Sequence, residues 1–272
     1  MRDNQFGSQE LQDGKDMSAV ALSVVARLAA RNVPGRRPAE ADLVQAMKDA
    51  IVAADPAAFD VLRLDLRRAR ITEIDLVDCY FPAVARALGC DWVDDTADFA
   101  AVTIGMARLQ ALLHRIVQGS FVDLPYDSPS ILVVLATGEQ HSFGVQVLAE
   151  QLRRSGAAAH VMIAPSADRL QDLVRSGRYD GAMVSVGCEQ GVEPSARIVK
   201  QIKRASGGQL WVAVGGAMLD RNVALRDLVG GDIATQDPML AMAGMRHVQG
   251  SLAGAVGLPR PLDTAWKRLE RA

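Results

Sequence analysis

Five apolar runs that alternate with helical patterns in the second half of the chain constrain its fold more than any other feature. The runs lie at 131–136, 158–164, 181–187, 209–216 and, more weakly, 231–235. The helical patterns lie at 143–155, 166–176, 193–205, 222–229 and from Pro238 to Val248. Continuous apolar strands separated by helices are typical of a parallel sheet with both faces covered. We therefore predict a Rossmann-like (flavodoxin-like) α/β domain with a five-stranded parallel sheet over residues 130–250.

The first half of the chain has a helical pattern. Apolar residues recur there at spacings of three and four, which predicts packed amphipathic helices. The clearest stripes are Ile74, Val77, Phe81, Val84 and Leu88, and Phe99, Val102, Met106, Leu109, Leu113 and Ile116. Shorter stripes run through Val20, Val24 and Leu28, through Leu43, Met47 and Ile51, and through Phe59, Leu62 and Leu66. We predict an N-terminal helical bundle of four or five helices over residues 17–121.

Local signals mark the limits of these elements. Thr72 followed by Asp75 is typical of a helix start, and Gly89 is a candidate C-cap. Pro82 should end or kink its helix near Phe81. A linker, an N-terminal flexible tail and a C-terminal tail are predicted at 122–130, 1–16 and 251–272.

The composition excludes several classes of protein. The chain is 49% hydrophobic with a net charge of −2, so it can bury a core and has no overall positive charge for nucleic acid. Three cysteines without a C-x-x-C pair argue against a disulfide framework and a zinc site, and favour a reducing compartment. No apolar run approaches the roughly 20 residues that span a bilayer. We therefore expect a cytoplasmic protein that does not act at a membrane.

Unusual residues follow three of the predicted strands. Glu139, His141 and Gly144 follow strand 1, Ser185 and Gly187 lie at the end of strand 3, and Gly215 and Gly216 end strand 4. If the strand order is 2-1-3-4-5, these three strands are neighbours and their carboxyl ends meet at one edge of the sheet. Ligands of doubly wound sheets bind at that edge. We therefore predict one site built from all three strand ends.

The residue types at this edge suit a metal carried by a macrocycle. A histidine can offer one ring nitrogen to a transition metal while a carboxylate such as Glu139 holds the other nitrogen. The hydroxyl of Ser185 would extend that relay, and Gly187, Gly215 and Gly216 would clear a slot for a flat or elongated group. One histidine cannot bind a free ion well, which favours a macrocyclic complex. Taken singly, such a histidine is more often an ordinary hydrogen-bonded loop residue, and only the joint occurrence favours a site.

The pattern resembles the cobalamin-binding domain shared with methionine synthase. The matching residues are Glu139, Gln140, His141, Ser142, Phe143 and Gly144, then Ser185, Val186 and Gly187, then Gly215 and Gly216. The resemblance implies adenosyl-, methyl- or hydroxocobalamin as cofactor, with His141 as the metal ligand below cobalt after dimethylbenzimidazole is displaced. It also implies that the displaced nucleotide tail enters the glycine slot. The chain departs from the family in having Glu139 for an aspartate and Gly187 for a leucine.

A second resemblance covers "CDWVDDTADFAAVTIG", which begins at Cys90. It is similar to the AerR/PpaA antirepressors, which regulate photosynthesis genes in purple bacteria. The related light-sensing repressors use a bundle tryptophan, here Trp92, to cover the upper face of the corrin. They also carry a Glu-His pair where this chain has Val102 and Thr103, so an upper water, hydroxide or alkyl ligand is expected instead of a protein histidine. Phe99 is interpreted as ordinary bundle core.

The resemblance implies a cobalamin-binding, light-responsive transcription regulator, an antirepressor that binds a transcriptional repressor and is not an enzyme. Contact with DNA would be indirect or auxiliary. The alternative is a corrinoid carrier protein of a methyltransferase system, which Glu139 and Val145 disfavour because such carriers usually have Asp and Gly-Lys there. A haem-binding variant of the fold is a third, weaker reading. The arginines of "RLDLRRARIT", Arg63, Arg67, Arg68 and Arg70, are interpreted as a solvated helix face rather than a partner site.

Overall fold

A computed structural model describes residues 39–53, 55, 57–119, 123–139, 141–221 and 224–246. Residues 36–236 belong to one compact unit, and the helical residues 238–246 belong to a second. The predicted tails, Gln140 and the stripe through Val20, Val24 and Leu28 lie outside the described residues. None of the helices in the described part of the chain is long and apolar enough to cross a bilayer.

The first half of the described chain is helical, as its periodicity predicts. The α-helices are α1 (Ala41–Val52), α2 (Ala58–Arg68), α3 (Glu73–Asp75), α4 (Phe81–Val93) and α5 (Phe99–Gly119). Most residues of the predicted stripes are buried together, among them Met47, Leu66, Phe81, Leu88 and Leu109. The apolar spacing therefore identified the packed face of each helix correctly.

Two residues of these stripes lie outside the core. Ile74 is 56% exposed and Phe99 is 73% exposed, so the prediction that Phe99 belongs to the bundle core is wrong. Both residues lie in the first turn of their helix, where the residues next to them are also exposed or only partly buried. Periodicity defines the apolar side of a helix, but it does not define how far along the helix a neighbour covers that side.

The segment before α4 shows how proline shapes the bundle. Thr72 and Asp75 form a reciprocal capping box that starts α3, as predicted. A π-helix, Leu76–Tyr80, then leads directly into α4, where the N–H of Phe81 donates to the carbonyl of Leu76. Pro82 has no N–H to continue the α-helical ladder, so the predicted interruption falls at the expected place. The predicted C-cap at Gly89 is wrong, because α4 continues to Val93.

The second half forms an all-parallel sheet in the order β2-β1-β3-β4-β5, which confirms the predicted fold class and strand order. The strands are β1 (Ser130–Leu135), β2 (Ala158–Ile163), β3 (Gly181–Ser185), β4 (Trp211–Gly215) and β5 (Ile233–Ala234). The connecting helices are α6 (Ser142–Arg154), α7 (Ala167–Arg175), α8 (Val192–Ala205) and α9 (Leu225–Val229). Residues 123–129 contain no helix or strand, as expected for a linker.

The strand register brings the carboxyl ends of the central strands level with one another. Leu135, the last residue of β1, pairs with Ser185 of β3, and Ser185 pairs with Gly215 of β4. Residues Ile131 to Leu135 are completely buried, because helices cover both faces of the sheet. The loops that follow these three strands therefore begin side by side.

Helix α6 packs beside strands β1 and β2 and also contributes to the core of the bundle. Phe143 and Val147 are buried in the same cluster as the side chains of the bundle helices. Further along α6, Gln151 donates a 3.1 Å hydrogen bond to Asp78 of the π-helix, and Arg154 also donates to Asp78. Helix α6, which begins immediately after His141, is thus attached to the bundle by apolar contacts near its start and by hydrogen bonds near its end. The division into separate domains at 17–121 and 130–250 stays a prediction.

Candidate functional site

The candidate site lies where the loops after β1, β3 and β4 meet. The N–H of Val186 donates to the carbonyl of Gly215 over 2.8 Å, and the N–H of Met218 donates to the carbonyl of Val186 over 3.1 Å. These bonds join the ends of β3 and β4. Glu139 of the β1 loop then reaches across to the β3 loop, so the structure brings the three predicted strand ends together.

Glu139 is the centre of this arrangement. Its side chain is completely buried. One carboxylate oxygen, Oε2, accepts hydrogen bonds from the N–H of Gly187 at 2.8 Å and the N–H of Cys188 at 3.3 Å. The other, Oε1, accepts from the N–H of His141 at 3.1 Å and is hydrogen-bonded to Nδ1 of the same residue. The buried carboxylate therefore connects two loops.

The pKa of Glu139 follows from these contacts. Burial alone would raise it, but the hydrogen bonds from the His141 ring and from the backbone N–H groups of Gly187 and His141 stabilise the carboxylate and lower the pKa to about 2. Glu139 is thus ionised at neutral pH, although it is buried. A permanently charged acceptor beside Nδ1 favours the imidazole form that carries its proton there.

The second ring nitrogen of His141 has no hydrogen-bond partner in the described part of the chain. The His141 side chain is 59% exposed, and this nitrogen is Nε2. The hydrogen bond to Glu139 raises the pKa of His141, and partial burial opposes that shift. With the proton on Nδ1, the neutral ring has a free lone pair on Nε2. This is the arrangement of a histidine ligand that a carboxylate orients.

The glycines at the strand ends have protein atoms close to their Cβ positions. A Cβ on Gly187 would lie 2.6 Å from Cγ of His141, so the imidazole occupies that space. A Cβ on Gly215 would lie 2.6 Å from the carbonyl oxygen of Thr235, and one on Gly216 would lie 2.8 Å from the backbone nitrogen of Val186. Protein atoms therefore fill the Cβ side of these residues, and the slot for a nucleotide tail stays a prediction. They are small because protein atoms pack against them.

The remaining predicted site residues have varied surroundings. Ser185 is half-buried, and its hydroxyl makes no hydrogen bond to Glu139 or His141 within the described chain, so the predicted serine relay is absent here. Ser142 is half-buried, Phe143 is buried, and the space beside Gly144 is open. Val186 is buried and joins the site through its backbone.

Sequence reasoning missed Cys188 and Gly191. The thiol of Cys188 donates to Oε2 of Glu139 over 3.6 Å, and a Cβ on Gly191 would lie 2.6 Å from the same oxygen. Potential ligand atoms of Glu139, His141 and Cys188 all lie within 4.8 Å of one another. The available signal was their place in the loop directly after strand 3, at the same edge of the sheet.

Trp92 is one of three large apolar side chains exposed between positions 92 and 99 of the bundle. It lies in the last turn of α4 and is 57% exposed, while Val93 and Phe99 are 77% and 73% exposed. We call these three residues the Trp92 patch. Trp92 and Val93 are adjacent in the chain and Phe99 follows six residues later. Exposed large apolar side chains are typical of surfaces that bind a ligand or a partner when they form one patch. The prediction that Trp92 differs from the core stripe agrees with this exposure.

Comparison with known proteins gives one clear relative. No family model matches the chain. The chain is 32% identical over 187 residues to the uncharacterized 20.5 kDa protein in the bchF-crtJ intergenic region of Rhodobacter capsulatus, covering 68% of this chain and 97% of that protein. The chain belongs to the same family. The resemblance to AerR/PpaA antirepressors is consistent with this relative, whose printed name states no activity.

Solved structures extend the comparison to the fold. The monomethylamine corrinoid protein of Methanosarcina barkeri superposes with a TM-score of 0.61 at 11% identity, covering 76% of this chain and 99% of that one. A cobalamin-binding protein from Desulfitobacterium hafniense has a TM-score of 0.38 at 17% identity, covering 76% and 96% of the two chains, which is too low to indicate a common fold. The first likeness shows that the helical bundle and parallel sheet recur together in a known protein.

Proposed function

We propose that this chain binds cobalamin and that His141 is the lower axial ligand of its cobalt. The observation that carries the proposal is a 59% exposed imidazole whose Nδ1 is held by the buried carboxylate of Glu139, while its Nε2 has no partner in the described chain. The sequence pattern around His141, Ser185 and Gly215 supports the choice of cofactor. The fold shared with the M. barkeri corrinoid protein is compatible with it.

The donor atoms fit a metal that already has most of its ligands. Glu139 is occupied by backbone N–H groups and by His141, so it is poorly suited to bind an ion directly. Nε2 of His141 is then the available donor of the pair. A single available nitrogen suits a corrin, because the macrocycle supplies the equatorial ligands itself.

Each residue has a defined task in this proposal. Bound cobalamin would supply a cobalt centre with an exchangeable, light-sensitive ligand. Glu139 keeps the proton on Nδ1 and aims the ring, which leaves Nε2 free to coordinate. The Trp92 patch offers an apolar surface for the opposite face of the corrin, and its exposure supports that role.

We further infer that the protein is a cobalamin-dependent, light-responsive regulator that acts by binding a transcriptional repressor. The motif from Trp92 to Gly105 and the R. capsulatus relative support this inference. Helix α6 offers a physical route for the signal, because it begins beside His141 and packs into the bundle through Phe143 and Val147. In this reading the protein changes an interaction surface and catalyses no reaction.

A corrinoid carrier for methyl transfer is the second candidate. The fold of the M. barkeri monomethylamine corrinoid protein favours it, since that likeness covers 99% of the other chain. Methyl transfer from bound methylcobalamin to a thiol would support the carrier. Association with a repressor that changes under green light would support the regulator.

The lower ligand can be tested by electron paramagnetic resonance. The chain is produced with ¹⁵N-labelled histidine and loaded with unlabelled cob(II)alamin. If His141 binds cobalt, the ¹⁵N nucleus splits each cobalt line into a doublet, whereas a retained dimethylbenzimidazole would give the triplet of ¹⁴N. His141→Ala should abolish the doublet, while His114→Ala, which removes an exposed histidine of α5, should keep it. A triplet in the wild-type protein would refute the proposal.

A further inference from the structure

The loop after β3 holds the carboxylate of Glu139 on the side opposite to His141. All of its contacts go to Oε2: the N–H of Gly187 at 2.8 Å, the N–H of Cys188 at 3.3 Å and the Cys188 thiol at 3.6 Å. Both contacts from His141 go to Oε1. The carboxylate is therefore divided between the two loops, with one oxygen facing each.

The length of the glutamate side chain makes this division possible. An aspartate would draw the carboxylate back by about 1.5 Å, the length of one carbon–carbon bond. Its oxygens would then be too far from the amides of Gly187 and Cys188 if they kept the bond to His141. Glutamate at position 139 is therefore long enough to contact both loops at once, which an aspartate would not be.

The longer side chain needs space that a glycine provides. A Cβ on Gly191 would lie 2.6 Å from Oε2 of Glu139 and 3.6 Å from a methyl carbon of Val186. The backbone of Gly191 has φ −78° and ψ −15°, which any residue adopts easily. Glycine is therefore not required here by the turn. The contact that excludes a larger residue is the one with the glutamate.

We propose that Gly191 is a positioning residue for His141, and that it acts through Glu139. The missing side chain lets the carboxylate reach the β3 loop, and the carboxylate so held fixes the tautomer and direction of the imidazole. Glu139 and Gly191 form a matched pair, in which the longer acid requires the smaller neighbour. The effect on the cobalt ligand rests on the proposed function, whereas the effect on the imidazole does not.

The first test follows the tautomer of His141 in the protein without cofactor. Long-range ¹H–¹⁵N correlation spectra of histidine-labelled protein are recorded at a pH where the ring is neutral, and His141→Ala assigns the signal among the four histidines. Wild-type protein should show the proton on Nδ1. Gly191→Ala should shift the signal toward a mixture of tautomers. Gly89→Ala is the matched control, because a Cβ built on that helical glycine meets nothing within 4 Å in the described chain apart from its chain neighbours and the backbone of its own helix.

The second test asks whether the two residues act together. Glu139→Asp alone should also loosen the tautomer, because the shorter acid loses the amides of the β3 loop. If the methyl group of Gly191→Ala acts by pressing on Oε2, the double variant Glu139→Asp/Gly191→Ala should lower the melting temperature by less than the sum of the single decreases. Additive decreases, or a wild-type tautomer in Gly191→Ala, would overturn the proposal. Glu139→Asp adds no bulk, so it keeps the test informative if Gly191→Ala does not fold.

A third measurement separates this proposal from the cobalamin assignment. Loss of an outer-shell partner typically weakens metal affinity by about 10- to 100-fold, so we expect that loss for cobalamin binding by Gly191→Ala. One outcome is that Gly191→Ala changes the His141 tautomer in the cofactor-free protein, while neither the wild-type protein nor the variants bind cobalamin. The positioning role then stands and the proposed function fails. If wild-type protein shows histidine-ligated cobalt and Gly191→Ala binds it equally well, the positioning role fails and the function stands.

Discussion

Placing a methyl group on Gly187 should displace the His141 ring. The new Cβ would lie 2.6 Å from Cγ and 2.7 Å from Nδ1 of His141. Carbon atoms in contact lie at about 3.5–4.0 Å, so the ring must retreat by roughly 1 Å. Gly187 has no left-handed backbone angle that would add strain. The perturbation is therefore confined to the contact between the two loops.

The energetic cost follows from what the ring loses. Overpacking a well-packed site costs about 1–3 kcal/mol, but the His141 side chain is 59% exposed and can move toward solvent. The charge-assisted bond to Glu139 weakens, and water replaces part of it. We expect Gly187→Ala to lower the free energy of unfolding by about 1–2 kcal/mol. The variant should also fail to give the absorption spectrum of histidine-ligated cobalamin under conditions in which it is still folded.

The assay is urea unfolding followed by circular dichroism, together with absorption spectra of added hydroxocobalamin. Gly89→Ala is the control, since it makes the same chemical change inside α4 with open space around it. That variant should gain about 0.5–1 kcal/mol, because alanine favours the helix. The prediction would be refuted if Gly187→Ala were as stable as Gly89→Ala and kept the bond between Glu139 and His141. That result would show that the His141 ring does not occupy the space beside Gly187.

Three further predictions concern stability. The free energy of unfolding should fall as the pH drops from about 4.5 to about 2, because Glu139, whose folded-state pKa is lowered to about 2, becomes protonated. It should also fall as the pH rises through the raised pKa of His141, because the imidazolium form that Glu139 stabilises is then lost. Glu139→Gln should flatten both trends in urea unfolding. Arg154→Met leaves Asp78 without its guanidinium partner and should cost about 2 kcal/mol by the same method, whereas an increase in stability would contradict this role. Phe99→Ser should change the melting temperature little, while Phe81→Ala should cost about 3–5 kcal/mol, since Phe81 is fully buried.

Much of the fold could be predicted because local rules act strongly on this chain. The apolar runs that became β1 and β3 had to be buried on both faces, and parallel strands joined by helices have few permitted topologies. One of those topologies, the order 2-1-3-4-5, places Glu139, His141 and Gly187 at one edge of the sheet, and the structure has this order. The reciprocal cap of Thr72 and Asp75 and the interruption before Pro82 were also predictable, since each depends on neighbouring backbone groups alone.

The interior of the candidate site was less predictable. A glycine in a sequence indicates that a side chain is missing, but it does not indicate which atoms fill the space. The His141 ring fills the Cβ side of Gly187, and contacts from the β3 loop hold Glu139 where a hydrogen bond from Ser185 was expected. Gly191 has no special backbone angle and no motif, so nothing local could have marked it.

The amino-acid sequence by itself determined the helical first half and the alternation of buried strands and helices in the second half, because hydrophobic period and proline act over a few residues. The strand order that places His141 beside Ser185 and Gly215 was an assumption until the sheet was seen. Only the tertiary structure decided which oxygen of Glu139 faces which loop, why positions 187 and 191 must be small, and that Phe99 lies in solvent. Those outcomes depend on distances between segments that are far apart in the chain, and such distances exist only after the loops have packed.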